Sequence, residues 1–91
     1  MMIEVYCLQK NFDNDFTIKN LSTFDEEKDA KHFFLSLCDK YKLNVSEVHQ
    51  AVKDFDKDYK GEGYKQTDTD TLVVGIADSF IFGSITDNIN I

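Results

Sequence analysis

The segment Asp54–Asp58, with the sequence Asp-Phe-Asp-Lys-Asp, places carboxylates at alternate positions, as the opening of a calcium-binding loop does. Such a loop also requires a bidentate glutamate at its twelfth position. In the two possible registers, that position holds Lys65 or Thr67. Calcium binding is therefore not predicted, and we assign the segment to the solvent-exposed face of a helix.

Cysteine and histidine could bind a metal or act as nucleophile and base, and the chain has two of each. Cys7 and Cys38 form no spaced metal-binding motif, and both fall on positions predicted to face the core. We therefore expect two free, buried thiols, with a disulfide or a metal site as the alternative. His32 and His49 have no second ligand at metal spacing, so they are predicted to be surface or boundary residues. No metal site and no cofactor is predicted.

The chain contains none of the short motifs that mark common catalytic sites. The segment Gly61-Glu62-Gly63 is too short for a phosphate-binding loop and lacks its strand–turn–helix context, so we interpret it as the end of a helix. A nucleophile elbow and a kinase motif are also absent from the sequence. We assign no catalytic residue and expect a protein that is not an enzyme.

Carboxylates are the remaining groups that could carry a function. Seventeen acidic residues face ten basic residues, which gives a formal net charge of −7. The acidic residues are concentrated in residues 25–29, in residues 54–58, and at Asp68 and Asp70. Solubility and helix capping account for the first group. A spread of carboxylates can also imitate the phosphates of a nucleic acid, and this is the functional interpretation of the acidic groups.

Every basic residue of the chain is a lysine, and arginine is absent. Arginine is the side chain that forks onto phosphates and base edges. Binding to nucleic acid also depends on a cationic surface that displaces counterions. Direct binding of DNA or RNA is therefore not expected, whereas binding of a basic protein partner fits the charge.

Two helices are predicted to position most of these carboxylates. Thr23 and Asn44 each stand three residues before a glutamate, which is typical of a helix N-cap. Behind each cap, apolar residues recur at helical spacing and form one stripe. These stripes consist of Ala30, Phe33, Phe34, Leu37, Cys38 and Tyr41 in the first helix, and of Val45, Val48, Val52, Phe55 and Tyr59 in the second.

The other regular segments alternate with a period of two, which predicts strands. Residues 2–9 and 16–19 are predicted to form a hairpin, and residues 71–76 and 80–85 are predicted to be the two strands that follow the helices. Residues 64–70 also alternate, in polar types. The segments 2–9 and 80–85 are apolar on both faces, as central strands of a sheet are.

These elements predict one α+β domain over residues 1–91, with a four-stranded, mainly antiparallel sheet and two helices on one face, in the order ββααββ. The face away from the helices would expose Tyr6 and Leu8, or cover them by dimerisation. The chain opens without a signal peptide, and none of its segments is long enough for a membrane span. We therefore expect a cytoplasmic protein that does not bind membranes.

A helical wheel places acidic side chains of the second helix in one row, away from its apolar stripe. Leu35 lies outside the apolar stripe of the first helix and is the apolar candidate for partner contact. The predicted partner-binding residues are Glu47, Asp54, Asp58, Leu35, Asp68 and Asp70.

Small size, acidity and the lack of a catalytic motif favour a non-enzymatic inhibitor or binding protein that acts on a basic, nucleic-acid-binding partner. Residues 1–37, with Val5-Tyr6 in the first strand followed by Phe24, Ala30 and Phe33, resemble many short phage and bacterial proteins. The most concrete hypothesis is a phage-type, DNA-mimicking inhibitor of a host nuclease such as a CRISPR effector, located in the host cytoplasm. The alternative is a homo-oligomeric accessory or small-ligand-binding domain that uses an apolar sheet face.

Overall fold

The computed structural model describes residues 1–11, 13 and 15–86, apart from the side chains of residues 85 and 86. Its four strands form one antiparallel sheet in the spatial order β2-β1-β4-β3. The predicted α+β fold with strands and helices in the order ββααββ is confirmed, and a further helix follows the last strand. The elements are β1 (Ile3–Asn11), β2 (Phe16–Phe24), α1 (Glu27–Lys40), α2 (Val45–Asp58), β3 (Lys60–Gln66), β4 (Asp70–Asp78) and α3 (Ser79–Thr86).

The main core lies between α1, α2 and one face of the two central strands, β1 and β4. Phe34, Leu37 and Phe55 are buried there, as the helical stripes predict. Phe33, Val48 and Val52 belong to the same stripes but are only partly buried at the edge of the core. The other core members are Ile3, Val5, Cys7, Ala30, Cys38, Ala51, Val74 and Ile76.

Of the two predicted N-caps, only Asn44 is confirmed. Its side-chain oxygen accepts a hydrogen bond from the backbone N–H of Glu47, 2.9 Å away. Thr23 instead lies in β2, where its hydroxyl donates to the carboxylate of Glu4. Helix α1 starts only at Glu27, and no side chain caps it.

The second face of the sheet is covered by α3, which corrects the predicted strand over residues 80–85. A short apolar run has no periodicity that separates a strand from a buried helix. The Asp78 carboxylate accepts a hydrogen bond from the backbone N–H of Phe80 and so favours a helix start there. The ring of Phe82 packs 4.8 Å from that of Tyr6. Tyr6 and Leu8 are consequently buried within one chain, and the prediction that they are exposed or covered by dimerisation is wrong.

The third strand is β3, formed by residues 60–66, and β4 is the central partner of β1. The prediction that Gly61 and Gly63 end the second helix is wrong, because both lie in β3. Tyr59 ends α2 by adopting the left-handed conformation, with φ of 61°. Its backbone N–H donates to the carbonyl of Phe55, 2.8 Å away, and closes the last turn.

Both cysteines are free and buried, as predicted. Burial raises the pKa of the Cys7 thiol, and burial together with the nearby Cys7 raises the pKa of the Cys38 thiol to about 12. The reactive thiolate is therefore scarce at neutral pH in the folded protein. No helix in the described part of the chain is long and apolar enough to span a bilayer.

We expect a thiol reagent to label the folded protein slowly at pH 7–8 and to label two thiols per chain after denaturation without reductant. Burial and the raised pKa both oppose the reaction in the folded state. Mass spectrometry of time points with and without denaturant measures this. Rapid labelling of the native chain, or an unreactive denatured chain, would contradict the assignment of two buried free thiols.

Candidate functional site

Helix α2 lies directly on β3 because β3 has glycines where the helix approaches. A Cβ atom built on Gly61 would lie 1.8 Å from the backbone carbonyl oxygen of Ala51, inside van der Waals contact. A Cβ atom on Gly63 would lie 2.7 Å from the Leu43 side chain. The two glycines therefore bring the acidic row of α2 to the outer edge of the sheet.

An open groove of about 490 Å³ follows the outer edge of β3, between the end of α2 and α3. We call it the α2–β3 groove. Among the described residues, three carboxylates and one ammonium group line it, together with one aromatic and one aliphatic side chain. Its lining residues are Asp54, Asp58, Lys60, Gly61, Glu62, Tyr64 and Ile81.

Glu62 is held in this groove by two tyrosine hydroxyl groups. Tyr6 donates to one carboxylate oxygen at 2.9 Å, and Tyr64 donates to the other at 3.2 Å. The ammonium group of Lys60 lies 3.4 Å from the same carboxylate. With a side-chain exposure of only 16%, Glu62 has a fixed position, whereas Asp58 is exposed at the end of α2.

Tyr6 reaches Glu62 across the intervening strand β4 because residue 75 is a glycine. A Cβ atom on Gly75 would lie 2.2 Å from the Tyr6 ring, so the ring occupies the space of the missing side chain. Burial, followed by the charge of Glu62, raises the pKa of the Tyr6 hydroxyl well above its ordinary value. The pKa of Tyr64 is raised for the same two reasons. Both hydroxyls remain protonated donors at neutral pH.

Glu47 belongs to the acidic row of α2, but its carboxylate is already bound to the backbone of β3. Its carboxylate accepts a hydrogen bond from the backbone N–H of Tyr64, 3.0 Å away. This donor lies on the outer edge of β3, where an unpaired N–H could otherwise pair with another strand. Asp54 accepts a hydrogen bond from Gln50 at 2.8 Å within α2 and lines the groove.

Asp68 and Asp70 lie in and after the β3–β4 turn, apart from the groove. The Asp70 carboxylate accepts hydrogen bonds from the hydroxyl of Thr67, at 2.6 Å, and from the side chain of Gln9. These two bonds, that of Thr67 first, lower the pKa of Asp70. Asp70 thus closes the turn, and Asp68 is exposed in it.

Leu35 lies outside the apolar stripe of α1 and is exposed. It lines a second groove, separate from the α2–β3 groove. Its side chain is 46% exposed beside an open, mainly apolar groove of about 270 Å³ between α1 and α2. Val45, Val48 and Leu43 line the same groove. Of the six predicted partner-binding residues, the structure therefore brings only Asp54 and Asp58 together in one groove.

Part of the acidic character of α1 and α2 is neutralised within the chain. Lys31 bridges Glu27 of α1, at 2.9 Å, and Asp56 of α2, at 2.6 Å. These two ion pairs raise the pKa of Lys31. Asp56 therefore holds the two helices together, whereas no ion pair is recorded for Asp54 or Asp58 among the described residues.

Sequence reasoning missed Glu62, Tyr64 and Ile81 as members of the groove. The signal for the first two was the alternation in the segment 60–64, where glycines occupy one face and Lys60, Glu62 and Tyr64 the other. That pattern is typical of a strand covered closely on its glycine face.

The described residues include no group of three or more histidine, cysteine or acidic side chains arranged to hold a metal ion. Comparisons with protein-family models, with curated proteins and with solved structures found no match to this chain.

Proposed function

We propose that this chain is a non-enzymatic binding protein that engages a basic surface of a protein partner through the α2–β3 groove. The observation that carries the proposal is the convergence of Asp54, Asp58 and Glu62 on one open groove. Among the described residues that line the groove, three carboxylates outnumber the ammonium group of Lys60 and leave it acidic, on a chain whose formal net charge is −7. Such a surface attracts cationic partners and speeds their association.

The shape of the groove favours an arginine or lysine side chain of the partner. The exposed ring of Tyr64 and the side chain of Ile81 offer apolar contact to its aliphatic stem. Carboxylates from α2 and β3 offer acceptors to its charged head. Because two tyrosine hydroxyls already orient Glu62, little ordering of that side chain is needed on binding.

The concrete form of the proposal is inhibition of a nucleic-acid-binding enzyme by occupation of its basic surface, in the manner of a DNA mimic. The case that fits the acidity and the small size is a phage-encoded inhibitor of a host nuclease, such as a CRISPR effector, acting in the host cytoplasm. The resemblance of residues 1–37 to short phage and bacterial proteins is compatible with it. Direct contact with nucleic acid is not part of this function.

Reversal of two charges in the groove tests the proposal. We expect the double variant Asp54→Lys and Asp58→Lys to lower the association rate for the partner by about tenfold or more, because steering by opposite charge is lost. The partner is isolated by affinity purification from the source cell and then measured as a pure protein by surface plasmon resonance. The affinity of the unchanged chain should also fall as salt rises, since exposed charges are screened over about 8–10 Å.

The matched control is the double variant Asp29→Lys and Asp39→Lys, which changes the net charge equally at exposed positions outside the α2–β3 groove. It should retain most of the association rate. Glu47 is left unchanged because its carboxylate binds the backbone of β3. Equal losses in the two double variants would mean that only net charge matters. An unchanged rate in the Asp54 and Asp58 variant would remove the groove as the binding site.

A further inference from the structure

The outer edge of β2 is the second feature of the sheet that is suited to binding. Within the described residues, β2 pairs with β1 on one side and with no strand on the other. This edge is nine residues long, and Lys19 is its only charged residue. It lies at the opposite end of the sheet from the α2–β3 groove, so an inference from it does not rest on that groove.

The pairing pattern identifies which backbone groups of β2 point outwards. At the two ends of the β3–β4 pair, Asp78 N–H donates to Tyr59 and Thr67 N–H donates to Asp70. In a strand inside a sheet, the backbone N–H and C=O groups of successive residues bond alternately to one neighbouring strand and then to the other. The backbone groups of even-numbered β4 residues therefore bond to β3, and those of odd-numbered β4 residues bond to β1.

The same alternation continues through β1 to residues 20–24 of the edge, beyond which the register of the β1–β2 pair shifts between Cys7 and Leu8. The backbone groups of even-numbered β1 residues bond to β4, so those of odd-numbered residues bond to β2. The backbone of Val5 therefore bonds with that of its β2 partner, Ser22. The neighbours of Ser22, namely Leu21 and Thr23, therefore direct their backbone N–H and C=O groups away from the sheet. An extended chain laid along this edge would meet unpaired donors and acceptors.

The side chains of β2 favour an uncharged centre in such a partner segment. Two apolar side chains of β2 are partly exposed to solvent, Leu21 at 47% and Phe16 at 37%. Among the described residues, β1 is the only strand that pairs with either residue. The residues that flank β2 are different. Asp13 and Asp15 precede it, whereas Asp25 and Glu26 follow it, and all four side chains are exposed.

We propose that β2 binds an extended segment of another protein as a fifth strand, and that this segment has an uncharged, alternating centre with lysine or arginine at both ends. The acidic flanks of β2 would contact those basic ends. A second copy of this chain is a poor occupant, because antiparallel pairing of two β2 strands brings the acidic start of one beside the acidic end of the other. Like charges in that position oppose pairing.

Two synthetic peptides, KKTVTVTKK and EETVTVTEE, test the inference by titration against isotope-labelled protein. We expect the lysine-flanked peptide to shift the amide signals of β2 and to bind at least about tenfold more tightly than the glutamate-flanked peptide. The variant Leu21→Pro should weaken the binding about tenfold or more, because proline removes an outward N–H while the ladder to β1 remains. Leu21→Val keeps both the N–H group and the apolar character, so it should bind as the unchanged chain does.

A second variant keeps the test valid if Leu21→Pro does not fold. The double variant Asp13→Lys and Asp25→Lys should remove the preference for the lysine-flanked peptide. Failure of that peptide to bind, equal binding of both peptides, or unchanged binding by folded Leu21→Pro would overturn the proposal. So would a dimer in sedimentation that Leu21→Pro abolishes, because the edge would then belong to a second copy. None of these outcomes tests the proposed role of Asp54 and Asp58 in the α2–β3 groove, so the two proposals can fail separately.

Discussion

Phe34→Ala is expected to lower the free energy of unfolding by about 3–5 kcal/mol. The side chain of Phe34 is fully buried between α1 and the sheet, so its removal exchanges apolar contacts for a cavity. Since a domain of this size has about 5–10 kcal/mol of stability, the loss is a large fraction of the total. Urea unfolding followed by circular dichroism gives the difference.

The adjacent residue provides the control. Leu35 lies on the same helix but is 46% exposed, so Leu35→Ala should cost less than about 1 kcal/mol. Similar losses for the two variants would show that the buried face of α1 has been assigned wrongly.

Gly61→Ala is the second substitution for which we expect a large effect, with a loss of more than about 3 kcal/mol. The reason is space rather than backbone conformation, because no glycine of the described residues has a positive φ. The added Cβ would lie 1.8 Å from the carbonyl oxygen and 2.6 Å from the carbonyl carbon of Ala51. Both atoms belong to the backbone, so α2 must move away from β3. Thermal and urea unfolding measure the loss.

Gly83→Ala makes the same chemical change where, apart from the backbone of its own helix, no atom of the described residues lies within 4 Å of the added Cβ. Gly83 is in α3, where alanine is favoured over glycine by up to about 1 kcal/mol. The control variant should therefore be neutral or more stable. Near-native stability of Gly61→Ala would mean that α2 does not lie directly on β3.

Much of the fold could be predicted because helical periodicity is explicit in the sequence. Phe34, Leu37 and Phe55 recur at helical spacing, and the structure buries all three. Strand β1 was recognised as central because it is apolar on both faces, and α1, α2 and α3 cover those faces. These patterns depend on local geometry alone, so they can be read without knowledge of distant contacts.

The errors lie where tertiary contacts decide the local structure. Residues 80–85 are apolar enough for a central strand, as predicted from the sequence, yet they belong to α3, which packs on the face beside Tyr6. Residues 60–63 contain two glycines that could equally end a helix, and the close approach of Ala51 explains why they are in a strand. In both places the strand and the helix differ in which distant residues they pack against. A short stretch of sequence does not contain those residues, so it cannot decide between the two structures.

The candidate site was predictable only in part for the same reason. Asp54 and Asp58 share a helix, so a helical wheel places them together. Glu62 joins them from β3, and its orientation depends on Tyr6, which is 56 positions away in the sequence. Leu35 was correctly placed outside its stripe, but its groove is separate because it opens between α1 and α2.

The hydrogen bond from Tyr64 to Glu47 also determines how chains of this protein could stack. A filament built by strand pairing needs two free sheet edges on every subunit, so that each copy can accept one neighbour and offer itself to the next. Here α2 packs on β3 and the Glu47 carboxylate occupies one of its outward amides, so within the described residues β2 is the less obstructed edge. Repeated edge pairing is therefore disfavoured at the β3 end of the sheet, so an extended segment at β2, as proposed above, would add one strand without starting a fibre.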